Sequence, residues 1–277
     1  MNMQMTADAY ARDGAVLIPN ALTPATLACA EDAYLWSLDN PGPGASMLPS
    51  KGTGSFYQDL ANPKAFAAYQ ALLACPEIGD IVAALWGKPE VWFMYEQVFK
   101  KTGGTTRRTP WHQDASYLPV QGADLAVMWI AFDPVPAAHA LEFVRGSHHG
   151  VLYDGSSFDI NDDTAPLYGN GAMPRLPDIE ADRGHWPIVS WATNPGDVVI
   201  FHPGLLHGGA ATDANTTRRT LSLRFFGSDA SVAQRPGSRP VERSVKKPAD
   251  NEHPLTRMRG LADGMPFRDP SFPKIHG

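Results

Sequence analysis

The chain is predicted to fold as a mainly β protein, a jelly roll with flanking helices packed on one side. Three observations carry this reading. Helical spacing is confined to the first third, and from residue 90 onward the sequence breaks into short aromatic and β-branched runs. Glycine and proline number 25 each and are spread along the chain, which suits many turns between short strands. Helices first and short strands later is the order of a β core with helices on one face, and a double-sheet jelly roll is a natural way to pair such strands.

The elements can be justified in order. A helical turn precedes a short strand within Gly14–Pro19. Thr23-Pro24 starts a helix, with a capping hydroxyl followed by proline at the first helical position. Leu27, Glu31, Tyr34, Leu35 and Leu38 follow at helical spacing, and Asn40-Pro-Gly-Pro-Gly stops them. Residues 41–55 read as a Gly/Pro/Ser loop. Asn62-Pro63 opens a second helical region that breaks near Pro76 and ends at Gly87. Strands are expected at 91–100, 125–133, 141–144, 188–191, 197–201 and 220–226. The run 125–133 is apolar throughout, as in a strand buried on both faces. Residues 150–185 lack periodicity and are rich in Gly, Pro and Asp. We therefore divide one domain, 1–277, into a helical support region (1–89), a jelly-roll core (90–230) with a lid insertion at 150–185, and an extended C-terminal tail (231–277).

Composition excludes several function classes. With 43% hydrophobic and 19% charged residues the chain reads as soluble and globular, and 277 residues suit one domain. A net charge of −6 and the absence of a basic stripe argue against nucleic acid. No apolar run approaches the roughly 18 residues of a membrane span. The start, MNMQMTADAYARDG, has no secretory pattern. Two cysteines, Cys29 and Cys75, make no disulfide framework. A cytoplasmic monomer or homodimer is expected.

Three pieces carry chemistry. In Trp111-His-Gln-Asp-Ala115, an extended backbone would turn His112 and Asp114 to the same face, where an imidazole and a carboxylate could grip one metal ion. On its own, His-x-Asp equally describes a surface pair in a turn. The second piece is Asn194–Gly209, in which a strand leads to His202 and then to His207 between Leu206 and two glycines. Either histidine could complete a two-histidine, one-carboxylate triad of the kind that holds non-haem iron(II). The two differ in strand parity; we take His207 as the ligand and give His202 a structural role. The third piece is Thr217-Arg-Arg-Thr-Leu-Ser222. Arg218 could clamp a carboxylate with its planar fork, and Arg219 must alternate away. The bland alternative is an Arg-Arg pair facing solvent. Strand 91–101 should present Tyr95, Gln97, Phe99 and Lys101 inward, or the opposite set; Gln97 and Lys101 could then touch cosubstrate or substrate.

Together WHQD, LEFVRGSHHG, PGDVVIFHPGLLHGG and RRTLS resemble the phytanoyl-CoA dioxygenase family of iron(II)/2-oxoglutarate oxygenases, over roughly residues 90–230. The resemblance implies a double-stranded β-helix core. It implies that His112, Asp114 and His207 bind iron(II), that Arg218 pairs with the 5-carboxylate of 2-oxoglutarate, and that Trp129 lines the cosubstrate pocket. It implies oxidation of a small-molecule substrate by dioxygen, with succinate and carbon dioxide released. Related halogenases lack the carboxylate, so Asp114 points to hydroxylation. Two departures, His139-Ala140 for Asn-Gly and Arg145 for proline, bear on loop geometry and not on the ligands. The competing readings are a non-catalytic cupin-like binding protein and a zinc or manganese cupin-type hydrolase or isomerase.

Overall fold

The computed structural model describes residues 3–48, 52–213, 216–236 and 252–277. Its strands are β1 (Ala15–Ile18), β2 (Ser46–Met47), β3 (Ser55–Leu60), β4 (Val91–Thr102), β5 (Thr109–His112), β6 (Val120–Gln121), β7 (Leu125–Ala131), β8 (Leu141–Val144), β9 (Ile188–Ser190), β10 (Val198–Phe201), β11 (His207–Gly209), β12 (Arg218–Phe226), β13 (Ser231–Val232) and β14 (Lys274–His276). The helices are α1 (Met3–Asp13), α2 (Pro24–Asp39), α3 (Ala65–Ala68), α4 (Gln70–Leu73), α5 (Pro76–Trp86) and α6 (Pro254–Arg259).

The larger sheet runs β1-β10-β7-β12-β4-β3-β2, with β14 added on β4, and the smaller runs β5-β11-β8-β9. All their pairings are antiparallel. Along the chain β4, β7, β10 and β12 go to the larger sheet, and β5, β8, β9 and β11 to the smaller. That distribution of eight strands is a jelly roll, as the sequence predicts.

Strand β7 shows why the layers form. Its even positions Ala126, Met128 and Ile130 meet the helices, together with Tyr34, Tyr69, Ile78 and Val82. Its odd positions Val127, Trp129 and Ala131 face Phe143 and Leu205 on the other side. Period-two alternation puts an apolar residue on both faces, and each large side chain so buried stabilises by about 1.5–3 kcal/mol. The helix signals also hold. Thr23 Oγ1 accepts from Thr26 N–H at 3.2 Å, Pro24 opens α2, and Asn40 caps its end. Gly87, at φ +64°, ends α5 in the left-handed region. Helix α1 is longer than the single turn expected, and Tyr10 ties it to the sheet by donating to Leu125 O at 2.6 Å.

Two expectations need correction. Residues 41–55 are not only loop: β2 lies within them, and β3 begins at Ser55 and extends the larger sheet past β4. The tail from 231 is not simply extended. β13 pairs with β6, β14 pairs with β4, and α6 lies between. Phe267 and Phe272 are buried with their ring centroids 5.0 and 5.1 Å from Phe226. Burying these aromatics draws the tail onto the body of the protein, where an extended course was expected. Residues 237–251 of that tail lie outside the described residues. The insertion at 150–185 is irregular, as expected, but Leu176 and Ile179 dock it against Trp111, Val144 and Leu206. No helix among the described residues is long and apolar enough to cross a membrane.

Candidate metal centre

Pairing of β11 with β5 sets His207 opposite His112. Gly208 permits the approach: a Cβ there would stand 2.9 Å from the Thr109 carbonyl oxygen. β5 ends at His112, Gln113 keeps an extended backbone, and Asp114 opens a short 3-10 turn, Asp114–Ser116. One ligand atom from each of His112, Asp114 and His207 lies within 4.8 Å of the others, and all three side chains are buried. His112 Nε2 and His207 Nε2 are 3.5 and 3.8 Å from Asp114 Oδ1, long for hydrogen bonds.

The opposite ring nitrogens are occupied. His112 Nδ1–H donates to Pro110 O at 2.8 Å, and His207 Nδ1–H to Leu205 O at 2.9 Å. A carbonyl can only accept, so both Nε2 lone pairs point into the cluster. Burial, reinforced by the neighbouring His112, pushes His207 down to about 3, so its ring is neutral. Burial alone would raise the Asp114 carboxyl, but the Arg224 guanidinium and both histidines outweigh it and hold Asp114 well below the usual carboxylate range. Two imidazoles and one carboxylate on a common point are the donor set of a facial triad for a divalent first-row metal. The residues present therefore fit an iron(II) ion.

A cavity of about 260 Å³ extends from the cluster between the sheets. Arg218, Thr220, Ser222 and Arg224 alternate into it from β12. Arg218 is 5% exposed, and among the described residues no carboxylate pairs with it. Its Nη1 donates to the His139 carbonyl, and burial pulls its pKa down to about 10. A buried guanidinium without a counter-charge is costly unless an anion joins it. Arg219 alternates outward, as expected, to Asp133 at 2.9 Å and to Glu31.

Other expected site residues fall in different places. Trp129 and Gln97 line the cavity. Lys101 does not: its Nζ donates to Arg107 O at 3.1 Å and Ala210 O at 3.3 Å and lies 4.3 Å from the Phe56 ring centroid. Those carbonyls draw it away from the cavity. Burial, with Arg218 and Arg108 nearby, lowers it to about 6. His202 is structural: its Nδ1 accepts from Gly204 N–H at 3.0 Å and its Nε2–H donates to Gly122 O at 3.3 Å. Sequence reasoning missed Arg224, Tyr117 and Phe158. Arg224 could have been found, since it shares strand parity with Arg218. Phe158 could not, because a residue at φ +56° in an irregular loop carries no period.

Fold and site together define a class, the jelly-roll proteins that carry a buried His-Asp-His cluster beside an arginine-lined cavity. Residues 10–220 match the family model described as phytanoyl-CoA dioxygenase (PhyH), and the chain belongs to that family. A Caenorhabditis elegans protein described as a probable phytanoyl-CoA dioxygenase is 29% identical over 56% of this chain and 49% of its own length. The peroxisomal phytanoyl-CoA dioxygenase of Mus musculus is 26% identical over 80% of this chain and 64% of its own length. The chain thus spans only about half to two thirds of these relatives. Among solved structures, the epimerase SnoN in complex with Fe3+, alpha ketoglutarate and nogalamycin RO superposes with a TM-score of 0.70 at 19% identity, over 99% of this chain and 98% of that one. That likeness bears on the fold.

Proposed function

We propose that the chain is an iron(II)/2-oxoglutarate-dependent dioxygenase that hydroxylates a small-molecule substrate and releases succinate and carbon dioxide. His112, Asp114 and His207 hold the iron, and Arg218 takes the far carboxylate of 2-oxoglutarate. The observation that carries this reading is Arg218: a buried guanidinium without a carboxylate partner among the described residues, in the cavity that the triad also lines. The SnoN complex with Fe3+ and alpha ketoglutarate supports the same pairing of groups. When bound, iron and 2-oxoglutarate supply the activation of dioxygen and the oxidation of a C–H bond.

The chain's own residues do the rest. The Pro110 and Leu205 carbonyls keep the two Nε2 atoms free to coordinate. The planar fork of Arg218 selects a carboxylate in the plane it needs, with Trp129 as a wall of that pocket. Tyr117 and Phe158 stand edge-on to His112, at 6.0 and 5.4 Å between ring centroids, and line the cavity beside the triad, where they would limit the access of water to a bound metal. We read residues 150–185 as the lid of a single domain, 1–277. Arg107 supports this, since it donates to the Phe158 and Asp159 carbonyls and pairs with Asp163.

The test is succinate formation from 2-oxoglutarate with iron(II), with and without candidate substrates. Wild type is expected to turn over only with iron, and His112→Ala to lose turnover. Undiminished succinate from that variant would sink the assignment. A product heavier by one oxygen separates hydroxylation from an epimerisation such as SnoN's description names.

A further inference from the structure

Arg224 is the buried charge at this site that the proposed function leaves without a task. Its Nη2 carries two hydrogens, and both are engaged. One goes to Asp114 Oδ2 at 2.8 Å and the other to Gln97 Oε1 at 2.6 Å. Gln97 Nε2 in turn donates to Gln58 Oε1 at 3.3 Å, so the brace runs from β12 through β4 to β3. Among the described residues Arg224 Nε and Nη1 are buried without a hydrogen-bond partner, and the guanidinium carbon lies 4.7 Å from the Tyr95 ring centroid.

This is a poor arrangement for stability. An arginine and a carboxylate bind best as fork to fork, with two parallel bonds to two oxygens. Here one nitrogen grips one oxygen while two donor groups go unused. The oxygen left alone is Oδ1, the one 3.5 and 3.8 Å from the two Nε2 atoms. The pair therefore divides the carboxylate, one oxygen to the guanidinium and one to the cluster.

We propose that Arg224 is a positioning residue that holds Asp114 by Oδ2, so that Asp114 offers the metal Oδ1 alone, with Gln97 setting the angle of the guanidinium. The inference rests on the metal reading above. A carboxylate free to rotate can bind a metal through both oxygens and close a coordination position. Held by one oxygen, it leaves that position to cosubstrate or dioxygen. Gln97, expected from the sequence as a cosubstrate contact, acts in this arrangement through Arg224.

The test titrates cobalt(II) alone into the metal-free protein, residues 1–277, and reads visible absorption. Arg224→Met removes the donors at similar length. Cobalt binding is expected to weaken by about 10- to 100-fold, as when other outer partners of metal ligands are removed. The absorption bands should change shape as Asp114 rotates. Arg224→Lys keeps one donor and is expected to recover most of the affinity and the wild-type bands. If Arg224→Met does not fold, Gln97→Leu carries the test, with a smaller loss in the same direction. Wild-type affinity and bands in Arg224→Met, or in Gln97→Leu where that variant stands in, overturn the proposal. A wild-type protein that binds no cobalt overturns the metal reading instead, which is a different result.

Discussion

Replacing Arg218 with methionine should separate stability from binding. In the ligand-free protein burial pulls the guanidinium down to about 10, which corresponds to roughly 3 kcal/mol against its charged form. Opposing this is its hydrogen bond to the His139 carbonyl, worth about 1.5–3 kcal/mol for a charged donor. The two effects are of similar size, and methionine fills much of the same space. The ligand-free variant is therefore expected to melt within about 5 °C of wild type, since 1 kcal/mol moves a domain of this size by roughly 2–4 °C. Cosubstrate binding should collapse. Removing one partner of a buried charge pair costs about 2–5 kcal/mol, which is roughly 30- to 4000-fold in Kd. The assay is thermal melting under argon with iron(II) while 2-oxoglutarate is titrated. At a concentration about 100 times its Kd, 2-oxoglutarate should stabilise wild type by roughly 2.7 kcal/mol, a rise of about 5–10 °C. The variant should rise by no more than about 2–4 °C at that concentration, the value left at the 30-fold end of that range, and Arg218→Lys, which keeps the charge and loses the fork, should fall between it and wild type. A variant that melts far below wild type without ligand, yet keeps the full rise with 2-oxoglutarate, would refute the reasoning. Arg218 would then be structural and the far carboxylate would bind elsewhere.

Glu96 should make stability depend on pH. Its Oε1 accepts from Asn62 N–H at 2.8 Å, its Oε2 is buried without a partner among the described residues, and burial pushes the carboxyl up to about 8. The folded state thus keeps a proton that the unfolded chain releases above 4.5. This group's contribution is intact below that value and is lost as pH rises through 8, by up to about 5 kcal/mol. Glu96→Gln cannot ionise, so its melting temperature relative to wild type is expected to climb between pH 5 and pH 9; a constant difference across that range would contradict the buried-carboxyl account. At Gly208, alanine would put a Cβ 2.9 Å from the Thr109 carbonyl oxygen, forcing β11 off β5 and His207 away from His112. Cobalt affinity should fall in Gly208→Ala and fall less in Gly209→Ala, where the nearest atom is the Thr109 hydroxyl at 3.1 Å; equal affinities in both variants and wild type would show that the glycines do not set the closure.

What the sequence revealed and what it hid follow from one distinction. Strand character is local, so β4, β7, β10 and β12 are readable from their aromatic and β-branched runs, while which face of β4 or of the wholly apolar β7 points inward is not. The triad is readable because its residues are chemically marked and because His207 sits beside two glycines that permit a close approach. Partnership is not local. The burial of Phe267 and Phe272 depends on Phe226, about forty residues earlier. The role of Arg224 depends on a 3-10 turn that lifts Asp114 off β5 and onto its guanidinium. Lys101 shows the limit of parity most directly. It pairs in register with Arg218, so both side chains leave the sheet on the same side. Yet Arg218 lines the cavity, while Lys101 turns to two backbone carbonyls and is lowered to about 6. A lysine so lowered is mostly neutral at pH 7, so it adds little positive charge at this end of the cavity. Arg108, nearby, is already paired with Glu142 at 3.0 Å. Among the described residues that leaves Arg218 as the charged group at this end of the cavity able to meet an incoming carboxylate, and on the function proposed above it is substitution of Arg218, rather than of Lys101, that is expected to abolish 2-oxoglutarate binding.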